Sequence, residues 1–193
     1  MGLSYPTELL ADFWAAVAAV QVMAESLSCP SKATSVPLAC LIGLPGSGKS
    51  TWAIALTQQA PSWQIISTDQ IRAQCYGDEA IQGDWITIWR QAQRQLRQGI
   101  GQIQAGLCQG VIYDATNVRR RHRRQFLRQA RGWGFTPIIG VWFDLPLAVC
   151  LSRNQQRSRC VPEPVILRMH RQLDGAPPSL GEPMDHLVRV RGD

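Results

Sequence analysis

Gly43, Leu44, Pro45, Gly46, Ser47, Gly48, Lys49 and Ser50 spell GxxxxGK[ST], and no other feature of the chain constrains its fold so tightly. Glycines at these places let successive backbone N–H groups turn inward, which makes a concave anion site. Such a loop must be entered from a strand and left into a helix, whose positive end adds to the site. The sequence supplies both: an apolar run over Leu38 to Ile42 before the loop and a helical pattern over Thr51 to Gln58 after it. Gly43, Pro45, Gly46, Ser47, Gly48, Lys49, Ser50 and Thr51 are therefore assigned to ATP. Lys49 reaches the β and γ phosphates, and the Ser50 hydroxyl ligates a Mg²⁺ ion that bridges them.

From there, short apolar runs alternate with helical patterns. Strands are expected at Gln64 to Ser67, Val111 to Tyr113, Ile138 to Phe143 and Leu187 to Val190. That alternation predicts an α/β fold, a parallel five-stranded sheet flanked by helices, with the loop strand lying beside the strand that ends at Asp114. The 193 residues, 45% hydrophobic and 18% charged, fit one such domain over residues 38–193. Residues 1–37 are expected to form an N-terminal helix, capped by Thr7, and a Ser- and Pro-rich linker. Trp85, Trp89, Ala92, Leu96, Ile100, Ile103 and Leu107 recur every three or four residues and predict one buried stripe on a long helix, with Gly99 and Gly101 weakening its middle.

Strand tips carry the remaining chemistry. Asp69 follows the second strand, on the loop's edge of a parallel sheet. There its carboxylate either takes the proton of an attacking hydroxyl or simply caps a helix. Arg72, three residues on, shares a helical face with Asp69 and is placed to hold a phosphate of the acceptor. Asp114 ends the third strand as an acid suited to the metal or the acceptor, or serves as a turn residue. Thr116 and Asn117 beside it are assigned to the acceptor, with capping of the next helix as the alternative. Arg153 and Arg157, four apart, are neighbours on one helix face before Val161 and Pro162 start a new element. A helical lid carrying them would bring Arg157 to the γ-phosphoryl group in transit. Seven arginines between Arg119 and Arg131 form either a solvated helix face or a track for nucleic-acid phosphates.

Other classes are set aside. The six Cys and three His show no metal-ligand spacing and no disulfide framework, so reduced thiols in a cytoplasmic protein are expected. The apolar run Phe13 to Val20 lacks a preceding Lys or Arg and is too short to span a bilayer. A net charge of +6 favours polyphosphate or nucleic-acid partners, and no membrane partner is expected.

Together these residues resemble the kinase domain of polynucleotide kinases and the related small P-loop kinases of the zeta-toxin-like group. The likeness runs from Leu38 to Val190 through Gly43 to Ala53, Thr68 to Arg72, Tyr113 to Val118, Phe143 to Leu147, and Arg153 to Arg157 with Val161 and Pro162. It implies a P-loop kinase domain in which Asp69 is the general base, Arg72 holds the acceptor's phosphate, and Arg153 and Arg157 contact ATP. It also implies Lys49 and Ser50 in their P-loop roles and Asp114 in the family's acidic position. The acceptor is then a nucleic-acid 5'-hydroxyl end or a small phosphate-bearing molecule. A nucleotide-dependent regulatory module stands as a third class. The chain has no DxDxT phosphatase motif, so healing of both ends of a broken strand is not expected.

Overall fold

The computed structural model describes residues 14–15, 35–78, 81, 83–157 and 159–191. The expected helix from Thr7, apart from the helical residues 14–15, and most of the linker fall outside these residues. Five strands form one sheet: β1 (Leu38–Gly43), β2 (Trp63–Ser67), β3 (Gly110–Asp114), β4 (Ile138–Asp144) and β5 (His186–Arg191). Their order is β2-β3-β1-β4-β5, and all pairings are parallel. The loop strand β1 is central and adjoins β3, as expected. Its six residues are all buried, as a strand covered on both faces requires. At the edge, β5 instead alternates: Val188 and Val190 point inward while Arg189 and Arg191 are exposed.

The helices are α1 (Lys49–Gln59), α2 (Thr68–Tyr76), α3 (Trp85–Gln104), α4 (Arg120–Trp133), α5 (Leu147–Gln155) and α6 (Glu163–Asp174). Alternation along β1 divides the core. Leu38, Cys40 and Ile42 pack with Ile71, Leu96, Phe126 and Ile166 from α2, α3, α4 and α6. Ala39 and Leu41 face the other way, against Trp52, Ala53 and Leu56 of α1, with Trp14 packed at the margin. The result is helices on both sides of one parallel sheet.

Two expectations about α3 need correction. Its buried stripe begins at Ile88, because Trp85 is 54% exposed, and it ends before Leu107, which is 77% exposed and lies beyond the helix. Gly99 marks a close approach within an unbroken helix: a Cβ there would come within 2.7 Å of Val111 Cγ2.

The arginine cluster also divides. Arg123 is fully buried and makes a two-pronged pair with Glu182, Nε–Oε2 2.8 Å and Nη2–Oε1 2.6 Å. It also donates to the carbonyls of Asn117, Val118 and Ala176, so every face of its charge is compensated. Arg131 is paired with Asp185 at 2.6 Å. These two arginines join α4 to the segment before β5, and no phosphate track runs through them.

A phosphate cradle and an acidic cleft at one sheet edge

Because all five strands run the same way, Gly43, Ser67, Asp114, Asp144 and Arg191 end on one edge. The loop after Gly43 lies there. Gly46 has φ +79, and a Cβ on it would meet the Cys150 carbonyl oxygen at 2.3 Å. Only glycine lets the loop rest against α5 in this way. Gly43 N–H donates to the Thr116 carbonyl at 3.0 Å, which ties the loop to the segment after β3. No acidic residue stands in the first turn of α1, so its positive end is left for an anion.

Lys49 is buried and donates from Nζ to Leu44 O at 2.7 Å and to Ser47 Oγ at 3.3 Å. Burial lowers its pKa to about 8, opposed first by Asp114 and then by Cys150, with Arg157 lowering it further. Ser50 Oγ donates to Asp114 Oδ2 at 2.6 Å. Burial pushes the Asp114 carboxyl up, while Lys49 and the Ser50 hydroxyl pull it down. Ser50 and Asp114 are an oxygen-only pair at the cradle. They suit a hard cation that keeps water and phosphate oxygens as its other ligands. No cluster of three or more acidic, His or Cys side chains able to hold a metal by itself occurs among the described residues.

ATP phosphates favour the protonated Lys49, whereas the free site gives up that proton near pH 8. Affinity for ATP should thus hold steady below pH 8 and weaken above it, approaching about tenfold per pH unit as one proton becomes linked to binding. Titration calorimetry across this range checks the sign. Affinity that rises above pH 8 would contradict the assignment of Lys49 to the phosphates.

Across the cleft, Ser67 pairs in register with Asp114, and its hydroxyl is the side chain that caps α2, accepting from Gln70 N. Asp69 is therefore not the cap, and its carboxylate is left for other work. Arg72 Nη1 meets Asp69 Oδ1 at 2.5 Å, and Arg159 Nη1 reaches the same oxygen at 3.3 Å. No hydrogen bond is made to Asp69 Oδ2 among the described residues. Arg72 is only 12% exposed, and its Nε is buried with no partner among the described residues.

On the lid side, α5 stops at Gln155, so Arg157 lies in the turn beyond the helix and not one turn above Arg153. The cause is Asn154. It is buried, and its amide clamps Val161 from both sides, Nδ2 to O at 2.9 Å and Oδ1 from N at 3.0 Å. The charge of Arg157 is felt at both Lys49 and Asp114, while that of Arg153 is felt at Cys150. Arg159 belongs to the same run of lid arginines in the sequence, and its contact with Asp69 is what the spacing alone does not indicate. Thr116 contributes its carbonyl to Gly43, and Asn117 uses its amide to hold Leu41 O at 2.7 Å, with φ +48. Neither caps α4, whose N-cap position is Arg119.

A family model described as an AAA domain, AAA_33, matches residues 38–176. The chain belongs to that family. This places it among P-loop kinases, in agreement with the sheet order and the cradle. It is 26% identical over 145 residues to an L-seryl-tRNA(Sec) kinase of Methanococcus maripaludis, a match that covers 71% of this chain and 52% of that protein. Its fold resembles a chain of the Pnkp1/Rnl/Hen1 RNA repair complex, with TM-score 0.62, 21% identity, and 77% and 47% of the two chains covered. It also resembles a sugar kinase from Janibacter, with TM-score 0.53, 18% identity, and 81% and 85% covered. The chain spans about half the length of the tRNA kinase and of the RNA-repair chain.

Proposed function

We propose that the chain transfers the γ-phosphoryl group of ATP to a hydroxyl, the 5'-hydroxyl end of a polynucleotide. The observation that carries this reading is the Asp69–Arg72 pair, whose carboxylate charge is felt at Lys49 and Asp114 of the cradle. A module that only binds or hydrolyses nucleotide has no need of a carboxylate and a half-satisfied guanidinium there. The likeness to an L-seryl-tRNA(Sec) kinase and to a chain of an RNA repair complex supports an acceptor carried on RNA.

The β and γ phosphates sit in the loop amides and against Lys49. Mg²⁺, held by Ser50 and Asp114, would neutralise charge on the same two phosphates. The acceptor hydroxyl enters beside Asp69, whose free Oδ2 takes its proton as the oxygen attacks phosphorus in line with the departing ADP. Arg157 and Arg153 supply positive charge from the lid side as negative charge spreads over the transferring group. Arg159 joins lid and base through Asp69 Oδ1, so the lid turn and the proton acceptor are positioned together. A depression lined by Asp144, Leu145, Pro146, Leu147, His170 and Arg191 opens at the same sheet edge and is assigned to the nucleoside of ATP. Location in the cytoplasm and action without a membrane belong to the same reading. No helix among the described residues is long and apolar enough to cross a bilayer.

Arg72 provides the test. The exposed part of its guanidinium is offered to the phosphate next to the attacked hydroxyl, an interaction of a charged donor that contributes roughly a tenfold to hundredfold difference. Arg72→Ala should raise KM for a nucleoside 3'-phosphate by that amount and leave KM for a plain nucleoside nearly unchanged, as steady-state kinetics will read. If the wild-type enzyme shows no preference for the phosphate-bearing acceptor, the polynucleotide reading fails and a small-molecule acceptor replaces it.

A further inference from the structure

Between Trp85 and Phe143 the chain carries ten arginines and one carboxylate, Asp114, which is buried in the cleft. The two helices of this stretch, α3 and α4, contain no acidic residue at all. They pack against each other on one face of the sheet. Trp89 meets Phe126 edge-on at 6.1 Å and Trp133 at 6.4 Å, and the Arg97 guanidinium lies over the Trp133 ring at 5.4 Å. Half of the chain's Lys and Arg residues thus fall in this one stretch.

Arg123 and Arg131 are spent on Glu182 and Asp185. On α3, however, Arg90, Arg94 and Arg97 are exposed, make no ion pair among the described residues, and line one groove with Gln93 and Gln98. They rise along the helix in steps of roughly 6 and 4.5 Å. Next to them is a ladder of indoles: Trp85 stacks on Trp89 at 6.5 Å and 10°, and Trp89 leads to Trp133 and Arg97. Trp85, at the outer end, is 54% exposed. Trp85 lies between the capping Asp84 and the exposed Ile86, and its indole reaches the arginine row through Trp89 and Trp133. A flat π surface beside a row of unpaired guanidinium groups fits a flexible strand of phosphates and bases.

We propose that the α3–α4 face is a binding surface for single-stranded nucleic acid, with Arg90, Arg94 and Arg97 on consecutive phosphates and a base stacked on Trp85. It names where the body of the acceptor strand lies, and it rests on the polynucleotide reading for the idea that the strand's end reaches the cleft. The surface is tested apart from the cleft.

Fluorescence anisotropy with end-labelled single-stranded RNA, single-stranded DNA and duplex DNA, without ATP, reads it directly. The 5' end is already phosphorylated, so no transfer occurs. Wild type should bind single strands more tightly than duplex, and affinity should fall with salt. The R90A/R94A variant should lower the slope of log K against log salt by about 1.4, two contacts at about 0.7 each. Trp85→Ala should weaken single-strand binding roughly fivefold to a hundredfold, the range for one lost stacking contact, and Trp85→Phe should restore most of it. Wild-type affinity and slope in both R90A/R94A and Trp85→Ala would overturn the proposal, as would no single-strand binding by the wild-type chain at low salt. Single-strand binding of the expected kind without transfer to any acceptor would leave the surface standing and remove the kinase reading. Transfer to a nucleoside 3'-phosphate without oligonucleotide binding would do the reverse.

Discussion

Lys49→Ala is expected to lower phosphoryl transfer about a thousandfold while leaving the fold in place. Removal of a single preorganised donor to a developing charge costs about a hundredfold to a thousandfold, and here the donor is a full charge in a desolvated cradle. Its Nζ also anchors the loop by bonding Leu44 O and Ser47 Oγ, so the substitution removes both charge and a strut of the loop. Position 49 begins α1, where alanine is a good helix former. The thermal midpoint should therefore stay near that of the wild type. The deciding measurement is turnover of the purified variant with saturating ATP, alongside its unfolding curve. Near-normal turnover in a folded variant would remove the loop from the chemistry.

Asp69→Asn is the second large effect. The amide keeps the shape of the carboxylate but accepts no proton, so transfer should fall by about a hundredfold or more, in the range for loss of a general base. The Michaelis constant for ATP should stay close to the wild-type value, because ATP binds through the loop and the lid arginines. The change also removes the charge that Arg72 and Arg159 share at Oδ1. A useful control is Ser67→Ala, which removes the hydroxyl cap of α2 and should lower stability by about 1 kcal/mol without approaching the catalytic loss. If Asp69→Asn turns over at the wild-type rate, Asp69 is no base and the proton leaves by another route.

Much of this architecture was written in local pattern. The apolar runs found all five strands to within a residue or two at their ends, because buried parallel strands are nearly continuous in hydrophobicity. The glycine loop announced the cradle, since a turn of that spacing has few other uses between a strand and a helix. What stayed hidden depended on partners far away in the chain. Arg123 looks like any of its six neighbours, and only Glu182, 59 residues on, makes it a core residue. The end of α5 was misplaced because Asn154, a single buried side chain, folds the chain back to Val161. Trp85 fits the helical period of the core stripe, yet it falls on the first turn, beyond the cover of neighbouring elements. The cap on α2 passed from Asp69 to Ser67 for a geometric reason: the strand ends one residue before the helix begins, so the hydroxyl at the junction reaches the Gln70 amide.

The central claim is transfer to an acceptor hydroxyl, and the most direct measurement follows the phosphorus itself. The chain is incubated with ATP labelled at the γ position, Mg²⁺ and a panel of 5'-hydroxyl oligonucleotides, nucleosides and sugars, and the products are separated and counted. The account predicts that label appears on the 5' end of the oligonucleotide and that Asp69→Asn sharply reduces it. Label released only as inorganic phosphate, with no acceptor marked, would contradict it.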